Sequence, residues 1–305
     1  MAYPTNTGGG VPSLSGTFIP EIWSTKLLVK FYDKCIYSEI ANTDYEGEIK
    51  AHGDTVKIRT TADIAISDYI KGQKLSYQNP ESPLVDLLID QGHYFAFNVY
   101  DLDKTQADIN LMNSWSGDGA EKIKIRVDTN ILGSIYADAA ALNAGATAGR
   151  KSGNIDLGTT ASPIAVTKAN IIDHLVNFST VMDEQNLPES DRYVVLSPAA
   201  CARIKTSELK DASLTGDGQS TLRNGKVGMI DRMTVYCSNN LAVDTGGKLN
   251  VVFGHKSALT FASQITNMET LKNPDDFGDL VRSMMAYGFK VIKPESLGHS
   301  VITIA

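Results

Sequence analysis

Cysteine is scarce in this chain, and long apolar runs are missing. Cys35, Cys201 and Cys237 stand far apart in 305 residues. An odd, sparse set with no C-x-x-C spacing argues against a disulfide framework or a zinc site, and reads as reduced packing residues in a cytoplasmic product. No uncharged apolar stretch approaches the ~20 residues that a membrane helix needs. The start, Met1-Ala2-Tyr3-Pro4-Thr5-Asn6, has neither the basic nor the apolar region of a secretory signal. Without secretion the sequon Asn177-Phe178-Ser179 carries no meaning. Basic charge is also short: 28 Lys and Arg face 35 Asp and Glu, a net charge of -7. A nucleic-acid-binding domain would usually carry the opposite sign. The acidic balance argues against non-specific adhesion to DNA.

Catalytic signatures are missing too. A phosphate loop would need glycine five residues before Gly225-Lys226, where Ser220 stands. There is no G-x-S-x-G elbow and no H-E-x-x-H. His52, His93, His174, His255 and His299 are scattered and read as surface or core residues. Asp101 and Asp103 form a D-x-D pair that helix capping explains better than chemistry. The acidic stretch Asn273-Pro274-Asp275-Asp276 with Asp279 carries oxygen ligands of the kind calcium takes. Arg59, Lys71 and Lys74 form a small basic cluster, suited to an acidic neighbour or simply to solvent. No catalytic, cofactor-binding or metal-ligating residue is assigned, and the expectation is a protein that is not an enzyme.

What is present is a sizeable core and a distinctive order of parts. Hydrophobic residues make up 42% of the chain and charged ones 21%, which excludes global disorder. Residues 1–18 are rich in Gly, Ser, Thr and Pro. Pro20 then opens a helical stretch with Ile22, Trp23, Leu27, Phe31 and Ile36 on one face, either a docking arm or an ordinary core helix. Gly53-Asp54 marks a turn before Asp54–Thr60, where Val56 and Ile58 alternate with Lys57 and Arg59. Gly92–Val99 alternates likewise. Pairing of these two segments would give a long ribbon with little visible core, and a two-stranded ribbon is marginal alone in water. Between them lie the turn-rich Lys71-Gly72-Gln73-Lys74 and Asn79–Pro83, and a further strand at Leu84–Ile89.

A helix from Asp101 to about Asn113 is expected to break at Ser116-Gly117-Asp118-Gly119 and restart on Asp118 as N-cap. The second segment would reach about Leu142, roughly 37 Å at 1.5 Å per residue. Its stripes are Ile125, Leu132, Ile135, Ala139 and Leu142, and beside them Ile123, Val127 and Ile131. Residues 144–163 read as a Gly/Ala/Thr linker. A compact α/β unit follows: a helix from Thr167-Lys168-Ala169-Asn170 through Met182, a buried strand Tyr193–Leu196, Pro198 opening a short helix through Ile204, a flexible loop Thr215–Ser220, and strands Met233–Tyr236 and Leu249–Phe253. Val281–Val291 and Val301–Ile304 are strand-like and separated by Pro294.

This order of parts resembles the major capsid proteins of tailed bacteriophages, with their Hong Kong 97-type capsid fold. The local likeness is best in Leu187-Pro188-Glu189-Ser190-Asp191-Arg192-Tyr193-Val194-Val195-Leu196-Ser197-Pro198 and in Gly228–Leu241. The ending, Arg282 through Tyr287-Gly288, Val291 and Lys293-Pro294-Glu295, fits as well. The resemblance implies an α+β chain divided into an N-terminal arm (1–46), an extended β-hairpin loop (47–99), a peripheral domain with the spine helix (100–162 and 259–305) and an axial α/β domain (163–258). It implies pentamers and hexamers that close an icosahedral head around double-stranded DNA without sequence-specific binding. Expected partners are further copies of the chain, a scaffolding protein, a portal and a decoration protein, with no membrane. The expected location is the virion capsid, made in the host cytoplasm. An encapsulin-like nanocompartment shell is the alternative. Relatives often begin with a long scaffolding segment. Here the chain starts only about fifty residues before the loop, so a separate scaffold, or none, is expected. Lys71 and Lys74 sit where some relatives carry a crosslinking lysine, but no matching catalytic carboxylate is seen.

Overall fold

The computed structural model describes residues 30, 32–44, 55–59, 64–80, 84–101, 111–207, 228–265, 268–274 and 276–305. Its helices are α1 (Tyr37–Ile40), α2 (Leu111–Leu132), α3 (Ile171–Glu184) and α4 (Pro198–Thr206). Its strands are β1 (Thr55–Arg59), β2 (Leu84–Leu88), β3 (Gln91–Tyr100), β4 (Ile164–Val166), β5 (Arg192–Leu196), β6 (Met229–Ile230), β7 (Met233–Cys237), β8 (Val243–Asp244), β9 (Lys248–His255), β10 (Leu259–Ile265), β11 (Glu269–Lys272), β12 (Gly278–Val291) and β13 (Leu297–Ile304).

The apolar run Tyr193–Leu196 becomes the fully buried strand β5, inside a sheet ordered β4-β13-β9-β5-β7-β6 with β8 on β9. Period-2 alternation splits its side chains between two cores. Val194 and Leu196 meet Leu175, Phe178 and Met182 of α3 and Ile204 of α4. Tyr193 and Val195 face the opposite way, onto Ile131 and Leu132 of α2, Ile36 and Ile40, and Phe261 and Tyr287. The second core therefore joins this sheet to the rest of the molecule. Ser197 caps α4, its Oγ accepting from Ala200 N–H, with Pro198 in the first turn.

A second sheet is built on β12. β10 and β11 follow one another along one side of β12, and β3 runs along the other, all antiparallel. The outcome corrects the expected ribbon. β1 pairs with β2, Val56 opposite Leu87 and Ile58 opposite Val85, while β3 pairs with β12. The root of the loop also has a core in its own chain: Ile58 and Leu87 pack on Ala262 of β10, with Val56, Val85, Ile89 and Ile292 around them. Gly288 allows this approach, because a Cβ there would meet the Leu88 carbonyl.

The spine helix also departs from expectation. α2 is continuous through Ser116-Gly117-Asp118-Gly119, and at 22 residues it spans roughly 33 Å. Asp118 does not cap anything. Glycine is used for close approach: a Cβ at Gly119 would lie 2.9 Å from the Phe95 ring of β3. The helix ends at Leu132, and 3-10 turns follow at Ile135–Asp138 and Ala141–Asn143. Ile135 stays buried, but Leu142 is exposed rather than part of a stripe.

β13 pairs with β9 and β4 inside the seven-stranded sheet, so Leu297–Ile304 share a sheet with strands of the 163–258 segment rather than with β12. The expected linker is packed structure as well: Ala148 and Leu157 are fully buried in the α3 core, and Leu157 accepts from Val301 N–H at 3.1 Å. Pro20, Ile22, Trp23, Leu27, Phe31, Gly53-Asp54 and Thr215–Ser220 lie outside the described residues.

Candidate assembly surfaces

Residues 64–80 project from the β1–β2 root as a tongue on which every described residue is exposed. Ile70-Lys71-Gly72-Gln73 makes its turn: Gly72 has φ 91°, as the third position of a type II turn requires, and Gln73 N–H donates to Ile70 C=O at 3.1 Å. Lower down, Gln78 acts as a substitute strand partner. Its Oε1 accepts from Ala65 N–H at 3.1 Å and its Nε2 donates to Ala65 C=O at 2.8 Å. This finger carries six large apolar side chains among its polar ones. Ile64, Ile66, Tyr69, Ile70, Leu75 and Tyr77 all face solvent, Ile66 at 96% and Tyr77 at 88% exposure. Six large apolar side chains exposed within fourteen residues mark a candidate interaction surface. Lys71 and Lys74 flank it and are exposed.

Further exposed apolar residues lie on the β3–β12–β11 sheet, on the side away from α2, on either side of the Arg282–Glu269 ion pair. Tyr94 stands opposite Met284, and Leu280 opposite Leu271. Tyr94, Met284 and Leu271 are exposed, as is Phe277 at the β11–β12 turn. The other side of β3 is covered, Phe97 meeting Trp115 of α2 edge to face at 5.6 Å.

Residues 30 and 32–42 strap α2 to the seven-stranded sheet. Asp118 gathers Lys30 Nζ at 3.1 Å, Lys122 Nζ at 2.9 Å and the Tyr32 hydroxyl at 2.9 Å. These donors hold its carboxyl down at about 2. Nearly three helical turns further on, fully buried Asp128 accepts three bonds. Ile36 N–H at 3.0 Å and Tyr37 N–H at 2.8 Å go to Oδ1, and Asn240 Nδ2 at 2.8 Å goes to Oδ2. Burial raises the Asp128 pKa against the pull of those bonds. Ile36 and Ile40 are completely buried, so this part of the expected arm belongs to the subunit's own core.

The other residues singled out in the sequence do not converge. His174 is buried, with Nε2 3.0 Å from Ser300 Oγ. Since that hydroxyl donates to Leu157 C=O at 2.7 Å, it accepts from His174, and burial pushes the imidazole down to about 4. His255 and His299 are also lowered by burial. Asp279 turns onto Lys272 Nζ at 2.6 Å, and Asp276 Oδ1 accepts Phe277 N–H at 2.7 Å. Asp275, Asp103 and His52 lie outside the described residues. No group of three His, Cys, Asp or Glu among the described residues is placed to hold a metal ion. No described helix is long and apolar enough to cross a membrane. Cys201 and Cys237, expected to be unpaired packing residues, are joined by a disulfide, because parallel pairing sets Cys237 beside the start of α4. The tongue's apolar residues were missed in the sequence, where the segment read as polar turns. The usable signal was six large apolar residues between Ile64 and Tyr77 with no partner strand nearby.

A family model described as phage capsid protein matches residues 85–298. Among solved structures, one from Mycobacterium phage Che8 superposes with a TM-score of 0.78 at 27% identity, covering 92% of this chain and 96% of that one. The capsid structure of the cyanophage P-SCSP1u gives 0.71 at 16% identity, covering 94% and 93%. The mature capsid of bacteriophage PhiM1 gives 0.65 at 16%, covering 94% and 92%. No curated protein matches.

Proposed function

The chain belongs to the phage capsid protein family and has the Hong Kong 97-type capsid fold, and from that premise we propose how it builds a head shell. It is a structural subunit that tiles the viral head with many copies of itself. The observation that carries the mechanism is the tongue at 64–80. A finger that exposes Ile66, Tyr69 and Tyr77 while its root is packed in its own chain has its missing core on another molecule. In an assembly that molecule is a neighbouring copy. Each such contact is modest, and closure of the shell makes the sum strong.

In this reading the seven-stranded unit is the axial domain, gathered in pentamers and hexamers. The β12 sheet with α2 is the peripheral domain, and residues 47–88 are the extended loop. A scaffolding protein guides closure, a portal occupies one vertex, and the exposed apolar pair Tyr94 and Met284 is where an accessory protein would bind. The net charge of -7 suits a container that holds double-stranded DNA without adhering to it. The chain acts without catalysis.

Electron microscopy of the purified chain, with and without the products of neighbouring genes, tests this. Closed shells are expected. Replacing residues 65–77 by a short Gly-Ser turn should leave a folded subunit that forms no shells. Persistent monomers of the intact chain under every assembly condition would overturn the proposal, and normal shells from the shortened chain would remove the role given to the tongue.

A further inference from the structure

We propose that Cys201 and Cys237 form a redox staple, open while the subunit is made and assembled and closed once the shell meets an oxidising medium. The inference rests on reading the chain as a shell subunit made in a reducing cytoplasm, where thiols are kept reduced.

The placement follows from the β5–α4–β7 connection. Parallel pairing sets Leu196 opposite Cys237 at the ends of β5 and β7. The chain then turns at Ser197 into α4, and Cys201 N–H donates to Ser197 C=O at 3.0 Å. Cys201 therefore stands one turn above the end of β5, beside Cys237. Their Cα atoms are 6.7 Å apart and the sulfurs are bonded. Cys201 is buried in the α3–α4 core, and Cys237 packs at its edge, half-buried. The bond ties the helix to the last strand of the parallel pair and closes a stretch of sequence separation 36. No other described pair of cysteines competes, since Cys35 is free and belongs to the strap.

Closure needs an oxidant, and a small-molecule disulfide of the glutathione type supplies it. The more accessible Cys237 thiolate attacks one sulfur of that disulfide and expels a small thiolate. The Cys201 thiolate then attacks the Cys237 sulfur of the mixed disulfide and expels the second. Two protein thiols become one disulfide, and the small disulfide gains two electrons and two protons as two thiols. Cys201 reacts only when the α4 end opens, so the step is slow in the folded subunit. The closed form restricts the unfolded chain, and a loop of this length raises the melting temperature by about 6–10 °C. A subunit that is more pliable during assembly and stiffer after release is the functional result.

The experiment counts thiols and follows melting on the full chain. Cells making the protein are lysed into an alkylating reagent, and the expected product carries three alkylated cysteines. Purified reduced chain is then treated with oxidised glutathione. The expected product has one free thiol, Cys35, a mass lower by two hydrogens and the higher melting temperature. C201A/C237A should keep one melting temperature with and without oxidised glutathione, while C35S should respond like the wild type. A bond already closed inside the cell overturns the timing. Three free thiols after oxidation, or melting unchanged by closure, overturns the staple. These readings use the unassembled chain, so failure to form shells bears only on the function proposed above.

Discussion

Asp128 is a buried polar tie among the strap, the spine helix and the end of β7, beside the hydrophobic core that joins them. Its carboxylate accepts Ile36 N–H, Tyr37 N–H and Asn240 Nδ2 in a fully buried position. Asp128→Ala would leave three buried donors without acceptors. Each such orphan costs about 1–3 kcal/mol, and removal of a desolvated charge offsets part of this. The net expectation is a loss of about 3–6 kcal/mol, a large share of the ~5–15 kcal/mol typical of a folded chain. Asp128→Asn behaves differently. Its Oδ1 still accepts the two backbone N–H groups, and rotation of the Asn240 amide offers an oxygen to the new NH2. That substitution should cost about 1 kcal/mol or less. The pH trend has a definite sign. Burial holds the folded pKa of Asp128 above the ordinary carboxylate value of 3.8, so ionisation weakens the fold as pH rises through that range. D128N has no ionisable group there and should gain on the wild type as pH rises. Urea unfolding of the unassembled subunit measures the differences, and hydrogen exchange at Ile36 and Tyr37 locates them. An Asp128→Ala variant within ~1 kcal/mol of wild type, or D128N as damaged as D128A, would refute the argument.

Three further tests address separate parts of the chain. Gly117 and Gly119 lie two residues apart in α2 and should respond in opposite directions to alanine. At Gly117 nothing lies within 4 Å of the added Cβ, so helix propensity alone should raise stability by about 0.5–1 kcal/mol. At Gly119 the Cβ meets the Phe95 ring at 2.9 Å, and overpacking should cost about 1–3 kcal/mol despite the same propensity gain. Equal effects in thermal melts would show that the helix does not press on β3. His174 has its pKa lowered by burial from 6.5 to about 4, so the unfolded chain takes up its proton first as pH falls. Stability is lost between those two values, by roughly 3 kcal/mol in all. H174Q keeps an N–H for Ser300 and should remove that part of the slope in denaturant titrations at several pH values. Ile66→Asp at the exposed tongue should leave subunit stability within ~0.5 kcal/mol while lowering shell yield by about tenfold or more. A subunit destabilised to the same extent as it fails to assemble would mean that Ile66 has a partner within its own chain.

The elements were legible where one physical signal dominated. Tyr193–Leu196 is apolar on both faces and became the buried strand β5, and Ser197-Pro198 announced α4 by capping chemistry. The family was legible from the order of such pieces, and the match over residues 85–298 agrees with it. Pairing was not legible, because alternation fixes which face a strand buries and not which strand it joins. Asp54–Thr60 and Gly92–Val99 carry the same pattern, yet one pairs with β2 and the other with β12. Ser116–Gly119 misled for a related reason. Glycine in a helix predicts a break when only local cost is counted, and the gain lies in Phe95, more than twenty residues earlier. The cysteines followed suit, since 36 residues of separation say nothing until β5 and β7 are known to be parallel neighbours.

The uncovered ribbon illustrates how these two kinds of information combine. Sequence alone puts the whole of Gly53–Val99 in search of a partner. The pairing removes most of that demand: β3 is satisfied by β12, and Ile58 and Leu87 by Ala262. What remains is the tongue. Gln78 bonds Ala65 through both amide atoms and Gln73 N–H closes the Gly72 turn, but residues 64–80 form no strand ladder. Its exposed backbone and its exposed apolar side chains both offer contacts to a neighbour, and two substitutions separate them. If the neighbour covers the apolar side chains, proline substitution at Lys74, which removes an N–H, should disturb assembly far less than Ile66→Asp. Loss of shells from the proline variant alone would instead indicate that the tongue binds by strand addition.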